Sequence, residues 1–151
     1  MTSFEPRDPQ FEARVKASFA RQQTMKTLGI EIADLRAGEI ELRMPHTRAY
    51  TQQHGFIHAG IIATALDSAC GYAAFSLMPA DAAVLTVEFK TNLVAPAKGQ
   101  YFLFRAHVVK PGRTITVCDA HAFAVDAGQE KLVATMTGTL MALFDRPDIS
   151  H

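Results

Sequence analysis

Asp67 is the charged residue whose position first suggests chemistry. It is the one Asp, Glu, Lys or Arg residue in the stretch 55–75, which is rich in Ala, Gly and Ile and predicts a buried helix. Burial disfavours the charged form of a carboxylate, which makes it a stronger base than a solvated one. The alternative is a structural carboxylate satisfied by neighbouring backbone or hydroxyl donors. Because an unpaired buried aspartate is rare, we favour a functional role.

The start of the same helix offers a second group suited to catalysis. Gly55, Ala59 and Gly60 surround His58, and small residues let a ligand approach the backbone. The first N–H groups of a helix have no intrahelical partners, and the helix dipole makes this end positive. These features favour binding of an oxyanion that develops on an ester or thioester carbonyl. The same small residues would also allow tight packing of the helix on a sheet.

The spacing of these two groups has a geometric consequence. Asp67 lies eight residues after Ala59, which is about 12 Å along a helix axis, so one thioester cannot touch both. His58 and Asp67, nine residues apart, point to opposite faces of the helix. If both ends of the helix serve one reaction, they come from two chains whose helices pack antiparallel across a twofold axis. The spacing then predicts a homodimer with two shared sites.

The sequence lacks the motifs of several other chemistries. It contains no G-x-S-x-G elbow, no G-x-x-x-x-G-K-[ST] loop and no G-x-G-x-x-G fingerprint. His54 and His58 are four residues apart, but Gly55 places His54 before the helix, which disfavours a helical zinc pair with Asp67 as third ligand. We therefore expect no metal and no cofactor. The remaining histidines, expected at the surface or in strands, are His46, His107, His121 and His151.

The composition favours a single domain over residues 1–151. Hydrophobic residues make up 48% and charged residues 20%, which suits a chain that buries a core. Fifteen basic residues balance fifteen acidic ones, so the net charge does not favour nucleic acid or an anionic membrane as a partner. Asp67 argues against a transmembrane helix, and the N-terminal stretch has no apolar signal region. We expect a cytoplasmic protein.

The elements that position these groups follow from hydrophobic periodicity. Residues 8–24 have helical spacing, with Asp8 as N-cap and Pro9 in the first turn. IEIADL and EIELRMP alternate around a turn at residues 37–38 and predict a hairpin. The central helix is predicted over about residues 58–77.

After the central helix the hydrophobic period changes to two. In AVLTVEFKTNLVAP, strict alternation separates Leu85, Val87, Phe89, Thr91 and Leu93 from Thr86, Glu88, Lys90 and Asn92. Three more strands follow: GQYFLFRAHVVK, RTITVCDAHAFAVD and KLVATMTGTLMALF. With the N-terminal helix outside a core of about residues 25–145, this order predicts an α+β fold in which an antiparallel sheet wraps around one long central helix.

A resemblance to a known family is carried by these same residues. The sequence resembles hotdog-fold acyl-CoA thioesterases of the PaaI-like (phenylacetate-catabolism) type, whose pattern is N-x-x-G-x-x-H-G-G followed by D-x-A. The matching segments are Gln52-Gln53-His54-Gly55-Phe56-Ile57-His58-Ala59-Gly60 and Leu66-Asp67-Ser68-Ala69. Further similarity covers Thr86-Val87-Glu88-Phe89, Pro96-Ala97-Lys98-Gly99, Lys110-Pro111-Gly112-Arg113 and residues 133–139.

The resemblance implies a role for several residues. Asp67 would be the nucleophile or the general base that activates water, and the N–H group of Ala59 from the other chain would polarise the thioester carbonyl. His58 would support the helix start, and Thr86 would help to place the water or the carboxylate. The resemblance also implies a dimer with a continuous sheet, and a tetramer made of two dimers.

The implied substrate is an acyl-CoA thioester, so CoA belongs to the substrate and is not a cofactor. The residues expected to contact it are Gly55, Phe56, Gly60, Lys90, Lys110 and Arg113. Two positions depart from the family pattern. Gln52, which the resemblance places among the catalytic residues, replaces the usual Asn and can still donate from its amide, but from a position shifted by one methylene. Ala59 replaces the second Gly, so that its methyl group crowds the approach of the carbonyl.

Two alternatives to hydrolysis remain on the sequence alone. One is a non-catalytic acyl-CoA-binding sensor that uses the same groove. The other, less favoured, is a dehydratase of 3-hydroxyacyl thioesters, whose H-F-P type motif is absent. Because no regulatory domain is visible in the chain, we favour the enzyme. The side chains near the site suit either an aryl or a short to medium acyl group.

Overall fold

The chain forms two short N-terminal helices, a β-hairpin, one long helix and four further strands. The computed structural model describes residues 3–149, so His151 lies outside the described residues. The helices are α1 (Phe11–Arg21), α2 (Gln23–Leu28) and α3 (Ala59–Phe75), and a 3-10 turn covers Arg48–Tyr50. The strands are β1 (Glu31–Arg36), β2 (Glu39–Pro45), β3 (Ala83–Leu93), β4 (Tyr101–Lys110), β5 (Ile115–Asp126) and β6 (Gln129–Leu143).

The six strands form one antiparallel sheet in the order β1-β2-β4-β5-β6-β3. The predicted β1–β2 hairpin is present, and its turn contains Gly38 at a φ of 79°. Helix α3 packs against strands β2 to β6 on the inner face of the sheet. The predicted α+β fold, with an antiparallel sheet around one central helix, is confirmed. Among residues 3–149, no helix is both long and apolar enough to cross a membrane.

Small residues let α3 lie close to the sheet. Ala65, Ala69 and Ala73 are fully buried on this helix. Opposite them, Gly138 of β6 faces Cys70 so closely that an added Cβ would lie 3.4 Å from the Cys70 Cβ. Larger side chains at these positions would separate the helix from the sheet, because protein interiors leave little free volume. The composition of α3 therefore sets how closely its functional residues approach β3 and β6.

Arg14 holds the C-terminal end of α3. Its guanidinium donates to the carbonyl oxygens of Phe75 at 3.2 Å and Met78 at 2.7 Å, and it lies 4.2 Å from the centre of the Phe75 ring. The same side chain pairs with Asp8 at 2.8 Å. Arg14 thus binds carbonyl oxygens at and just beyond the last residue of α3, where the regular helical hydrogen-bond pattern ends.

The predicted helix over residues 8–24 is wrong in its boundaries. Helix α1 begins at Phe11 and ends at Arg21, and Gln22 is extended (φ −77°, ψ 102°) before α2 continues the path. Asp8 is not the N-cap, because its carboxylate is held by Arg14 and by the N–H group of Gln10 at 2.9 Å. The ion pair with Arg14, whose guanidinium also binds the carbonyl groups of Phe75 and Met78, thus replaced the expected N-cap interaction.

The strict alternation predicted for β3 is also wrong, because the strand contains a bulge. The pairing with β6 shifts between Thr86 and Glu88, which leaves Val87 as an extra residue. Thr86 pairs with Leu140 and Phe89 with Gly138, both of which are buried on the inner face of the sheet. Thr86 and Phe89 therefore share the face that α3 covers, whereas alternation placed them on opposite faces.

Substitutions at two glycines test how α3 and the turn between β4 and β5 are packed. We expect Gly71→Ala to raise the free energy of unfolding by about 0.5–1 kcal/mol, because Gly71 lies within α3 and an added Cβ meets no atom within 4 Å. Gly112→Ala should lower it by about 1–3 kcal/mol, because the new Cβ would lie 2.1 Å from the Ile115 carbonyl oxygen. Urea unfolding of both variants checks this. A destabilised Gly71→Ala would contradict the packing described for α3.

Candidate active site

A tight loop before α3 sets the position of the helix start. Thr51 and Ile57 form an isolated antiparallel bridge, and the N–H group of Gln52 donates to the Phe56 carbonyl at 2.8 Å. Gly55 closes the turn with a φ of 82°, a conformation that favours glycine, and its N–H group donates to the Gln52 carbonyl at 3.0 Å. Gly55 therefore shapes the loop, and it does not line the groove described below.

His58 is the N-cap of α3. Its backbone N–H group donates to the Tyr50 carbonyl at 2.9 Å, which anchors the helix start to the preceding 3-10 turn. Its side chain accepts a hydrogen bond at Nδ1 from the N–H group of Gly60 at 2.9 Å. Acceptance at Nδ1 assigns the proton of a neutral imidazole to Nε2. The predicted supporting role of His58 at the helix start agrees with this geometry.

The N–H group of Ala59 is the one left available at the helix start. Gly60 donates to the His58 side chain, while Ile61 and Ile62 donate to the His58 carbonyl at 2.9 and 3.2 Å. Within residues 3–149, the Ala59 N–H group has no hydrogen-bond partner. It therefore remains free to bind an oxyanion, and the helix dipole adds to that preference.

A groove of about 620 Å³ runs along this helix start. Gln52 lines it, and its Oε1 accepts from the His54 N–H group at 2.6 Å, so the amide nitrogen is the group left for a ligand. The other lining residues are Gln53, Phe56, Ile57, His58, Ala59, Ile62, Leu93, Val94, Ala95, Pro96, Ala97 and Val133.

Asp67 lies at mid-length on α3 and contacts β3. The hydroxyl of Thr86 donates to Oδ1 of Asp67 at 2.7 Å. This contact depends on the bulge at Val87, since the bulge brings Thr86 to the inner face. Asp67 is partly buried, less than the sequence suggested. The sequence predicted Thr86 as a partner of this carboxylate only through the family resemblance.

Burial dominates the acidity of Asp67. Removal from water raises the pKa of its carboxyl group above the ordinary value, and the hydrogen bond from Thr86 acts in the opposite direction by stabilising the charged form. The net shift is upward. The arrangement therefore yields a carboxylate that binds a proton more readily than a solvated aspartate, while one oxygen stays oriented by Thr86.

A second groove, of about 450 Å³, contains Asp67. It does not include Ala59, so one chain holds the carboxylate and the free helix-start N–H group in separate grooves. Gly60, one of the residues predicted to contact the substrate, lines this groove together with Asp67. The residues lining this Asp67 groove are Gln22, Thr24, Gly60, Ala63, Thr64, Asp67, Ser68 and Phe89.

The predicted basic residues lie away from both grooves of one chain. Lys90 is on the outer face of β3, where its Nζ donates to the Asn92 side chain at 3.1 Å. Lys110 ends β4, and Arg113 is exposed in the following turn, which borders a cleft at the C-terminal end of α3. The 17 residues of α3 separate that end from Ala59 by about 25 Å. Their contacts with a substrate stay predictions.

Residues 3–149 contain no group of three or more His, Cys, Asp or Glu side chains arranged to hold a metal ion. His54 and His58 accordingly form no such group with Asp67.

The N-terminal residues of the Asp67 groove were missed by the sequence analysis. Gln22 and Thr24 come from the N-terminal segment, in which they read as polar positions of a surface helix. No local signal distinguishes them, because their position depends on the break between α1 and α2. The hydrogen bond from Ser68 to Gln22 is the long-range feature that identifies this wall of the groove.

Comparisons with known proteins identify a family and similar folds. The sequence model of the thioesterase superfamily matches residues 54–131, more than half of the chain. A protein of Halobacterium salinarum named a "putative esterase" is 31% identical over 79% of this chain and 80% of its own length.

Two solved structures are similar to this fold. A thioesterase family protein from Silicibacter pomeroyi is 62% identical, with a TM-score of 0.88 over 89% of this chain and 98% of its own. The E. coli PaaI protein from the phenylacetic acid degradation operon is 22% identical, with a TM-score of 0.80 over 89% of this chain and 94% of its own. This second similarity supports the fold.

The hydrogen bond from Thr86 leads to a prediction about the pKa of Asp67. We expect Thr86→Val to raise the pKa of Asp67 further, because the interaction that stabilises the charged form is lost while burial is kept. A carbon NMR titration of the Asp67 carboxyl group measures this. Thr91→Val is the matched control, since Thr91 lies on the same face of β3 and its hydroxyl has no hydrogen-bond partner among residues 3–149. An unchanged pKa in Thr86→Val would show that the contact does not tune Asp67.

Proposed function

Since this chain belongs to the thioesterase superfamily, we propose that it hydrolyses acyl-CoA thioesters to a free carboxylate and CoA. Thioester hydrolysis is the activity of its family, and the proposal concerns the CoA substrate and the residues that act on it. The observation that carries it is a partly buried carboxylate with a raised pKa, oriented by Thr86 in an open groove.

In the proposed reaction, Asp67 takes a proton from water as the water oxygen attacks the thioester carbonyl carbon. The carbonyl oxygen becomes an oxyanion, which the N–H group of Ala59 binds. Collapse of this intermediate breaks the carbon–sulfur bond. The CoA thiolate leaves and takes up the proton held by Asp67, which regenerates the Asp67 carboxylate. The acid product then releases its remaining proton to solvent and becomes the free carboxylate.

Two features of Asp67 suit it to the role of general base. Thr86 occupies Oδ1, which leaves Oδ2 to accept a proton from water. The raised pKa strengthens the carboxylate as a proton acceptor near neutral pH. Reduction with borohydride during turnover discriminates between a base and a nucleophile. Hydride attack on the aspartyl carbonyl of a mixed anhydride at Asp67 would release the substrate carboxylate and convert Asp67 to homoserine, and that product would establish a nucleophile.

We propose that the site is shared by two chains, a proposal supported by the finding that Ala59 and Asp67 line different grooves of one chain. Strand β3 is an edge of the sheet, and its apolar residues Leu85, Val87 and Leu93 are 49, 56 and 57% exposed. An exposed apolar edge is a template for pairing with another strand. Pairing of β3 with its copy across a twofold axis would cover these side chains and join the two sheets.

This homodimer places the start of one α3 beside the Asp67 of the other in the proposal. A tetramer of two such dimers belongs to the same proposal. The exposed residues Lys90, Lys110 and Arg113 supply positive charge for the CoA phosphates, which they reach from a neighbouring chain. Gly55 shapes the loop before α3, and Phe56 lines the groove that would hold the pantetheine.

The two alternatives raised by the sequence gain no support from the comparisons. The similar proteins are named as esterases and thioesterases, which favours a hydrolase over a sensor or a dehydratase.

Asp67→Asn tests the proposed base directly. We expect kcat to fall about 10²–10⁴-fold, because the amide cannot accept the proton of water. Release of free thiol from aryl, short-chain and medium-chain acyl-CoA thioesters measures the effect. Asp81→Asn, at an exposed turn residue before β3, should keep wild-type rates. Turnover of Asp67→Asn within tenfold of wild type would exclude Asp67 as the base.

Mixing two inactive variants tests whether the site is shared. Ala59→Pro removes the N–H donor, and the first helical position tolerates proline, particularly since His58 has a ψ of 136°. In a heterodimer of Ala59→Pro and Asp67→Asn, one site has two intact groups and the other has none. After random exchange of subunits, we expect about one quarter of wild-type activity, because half of the dimers have one intact site of two.

The control for this experiment is each variant mixed with itself, which should stay inactive. No recovery after verified subunit exchange would mean that Ala59 and Asp67 act within one chain or that one of them does not act at all.

A further inference from the structure

Gln22 connects the N-terminal segment to the proposed active site. The hydroxyl of Ser68, the residue after Asp67, donates to Oε1 of Gln22 at 3.0 Å. Both side chains are partly buried, and both line the Asp67 groove together with Thr24. Gln22 and Thr24 lie before the residues that the superfamily model matches. This wall of the groove is therefore contributed by a part of the chain outside that match.

We propose that Gln22 and Ser68 determine acyl-group specificity by favouring acyl groups that carry an oxygen atom on the side facing this pair. The inference rests on the proposed function, since it requires the acyl group to occupy the groove that contains Asp67.

Unused hydrogen-bonding capacity at Gln22 is the first observation behind this inference. A glutamine side chain has two N–H donors and one oxygen acceptor. The oxygen is oriented by Ser68, whereas the amide nitrogen has no hydrogen-bond partner among residues 3–149. The Thr24 hydroxyl makes no hydrogen bond within the same range. The groove wall thus has donors available to a ligand beside the carboxylate.

The groove has two chemically different sides. Ala63 and Phe89 are apolar, while Gln22, Thr24 and Ser68 are polar. Phe89 is on this side because the bulge in β3 places it, like Thr86, on the inner face. An acyl group with one hydrocarbon side and one oxygen substituent matches both surfaces at once.

Desolvation of the Gln22 amide determines how much the groove favours an oxygen-bearing acyl group over a hydrocarbon one. A purely hydrocarbon acyl group would displace water from the Gln22 amide without replacing its hydrogen bonds. A hydroxyl or carbonyl oxygen on the acyl group would restore one of them. The difference of one hydrogen bond corresponds to about tenfold in kcat/KM.

The break between α1 and α2 is what brings Gln22 to the groove. Its extended backbone (φ −77°, ψ 102°) interrupts a helix that contains no Gly or Pro at this point. A continuous helix would direct residue 22 and residue 24 along a different path. The interruption at Gln22 therefore allows the contact between Gln22 and Ser68.

The test compares thioesters of equal length. Thiol release is measured with hexanoyl-CoA, 3-hydroxyhexanoyl-CoA and 6-hydroxyhexanoyl-CoA. We expect kcat/KM of the wild type to be about tenfold higher for at least one hydroxylated substrate than for hexanoyl-CoA. Gln22→Met, which keeps the length of the side chain but has no amide, should remove this preference.

Gln23→Met is the matched control, since Gln23 is exposed and does not line the groove. It should retain the wild-type preference. Ser68→Ala is a milder second variant that frees the Gln22 oxygen, and it should weaken the preference even if Gln22→Met folds poorly. Thermal melting of each variant separates a loss of folding from a loss of selectivity.

The outcomes separate this inference from the proposed function. Hydrolysis of all three substrates at equal kcat/KM, or a preference that survives in both Gln22→Met and Ser68→Ala, overturns the role of this pair and leaves the thioesterase intact. Failure of wild type to cleave these and the aryl thioesters overturns the proposed function, and the inference with it.

Discussion

The close packing of α3 against the inner face of the sheet is the constraint on which the rest of the structure depends. Ala65, Ala69 and Ala73 are fully buried, and Gly138 leaves room for Cys70. Because these side chains are small, the helix axis lies near the sheet, and a side chain as short as aspartate at position 67 reaches the hydroxyl of Thr86. A helix of leucines would stand farther from the sheet and would lose this contact.

The same helix carries the two groups to which the proposal assigns the chemistry. The free N–H group of Ala59 and the carboxylate of Asp67 lie in separate grooves, because eight residues of helix separate them. The apolar edge formed by β3 is next to one of these groups through Thr86 and Phe89. Assembly and catalysis are therefore linked in the proposal: the strand that would form the interface is the strand that orients the carboxylate.

The N-terminal segment does more than cover the core. Arg14 satisfies carbonyl groups at the C-terminal end of α3, and Gln22 contacts Ser68 at its middle. These contacts lie at two positions along α3, so the N-terminal segment restrains the helix that carries Asp67. A segment outside the matched family region is a suitable place for specificity to vary, since changes there leave the shared catalytic framework in place.

Local sequence patterns determined the fold class, the β1–β2 hairpin, the central helix and the isolation of Asp67, because periodicity, turn residues and composition act over a few neighbouring residues. The small residues around His58 already indicated the helix start at Ala59, whereas Thr86 was indicated only by the family resemblance. The tertiary structure alone decided the bulge at Val87, the break at Gln22 and the pairing of Asp8 with Arg14. The bulge and the break involve partners distant in the chain, strand β6 and Ser68, whose packing outweighs the local preference for alternation or a continuous helix. Asp8 and Arg14 are only six residues apart, but Arg14 is also bound to the carbonyl groups of Phe75 and Met78, which no local pattern indicates.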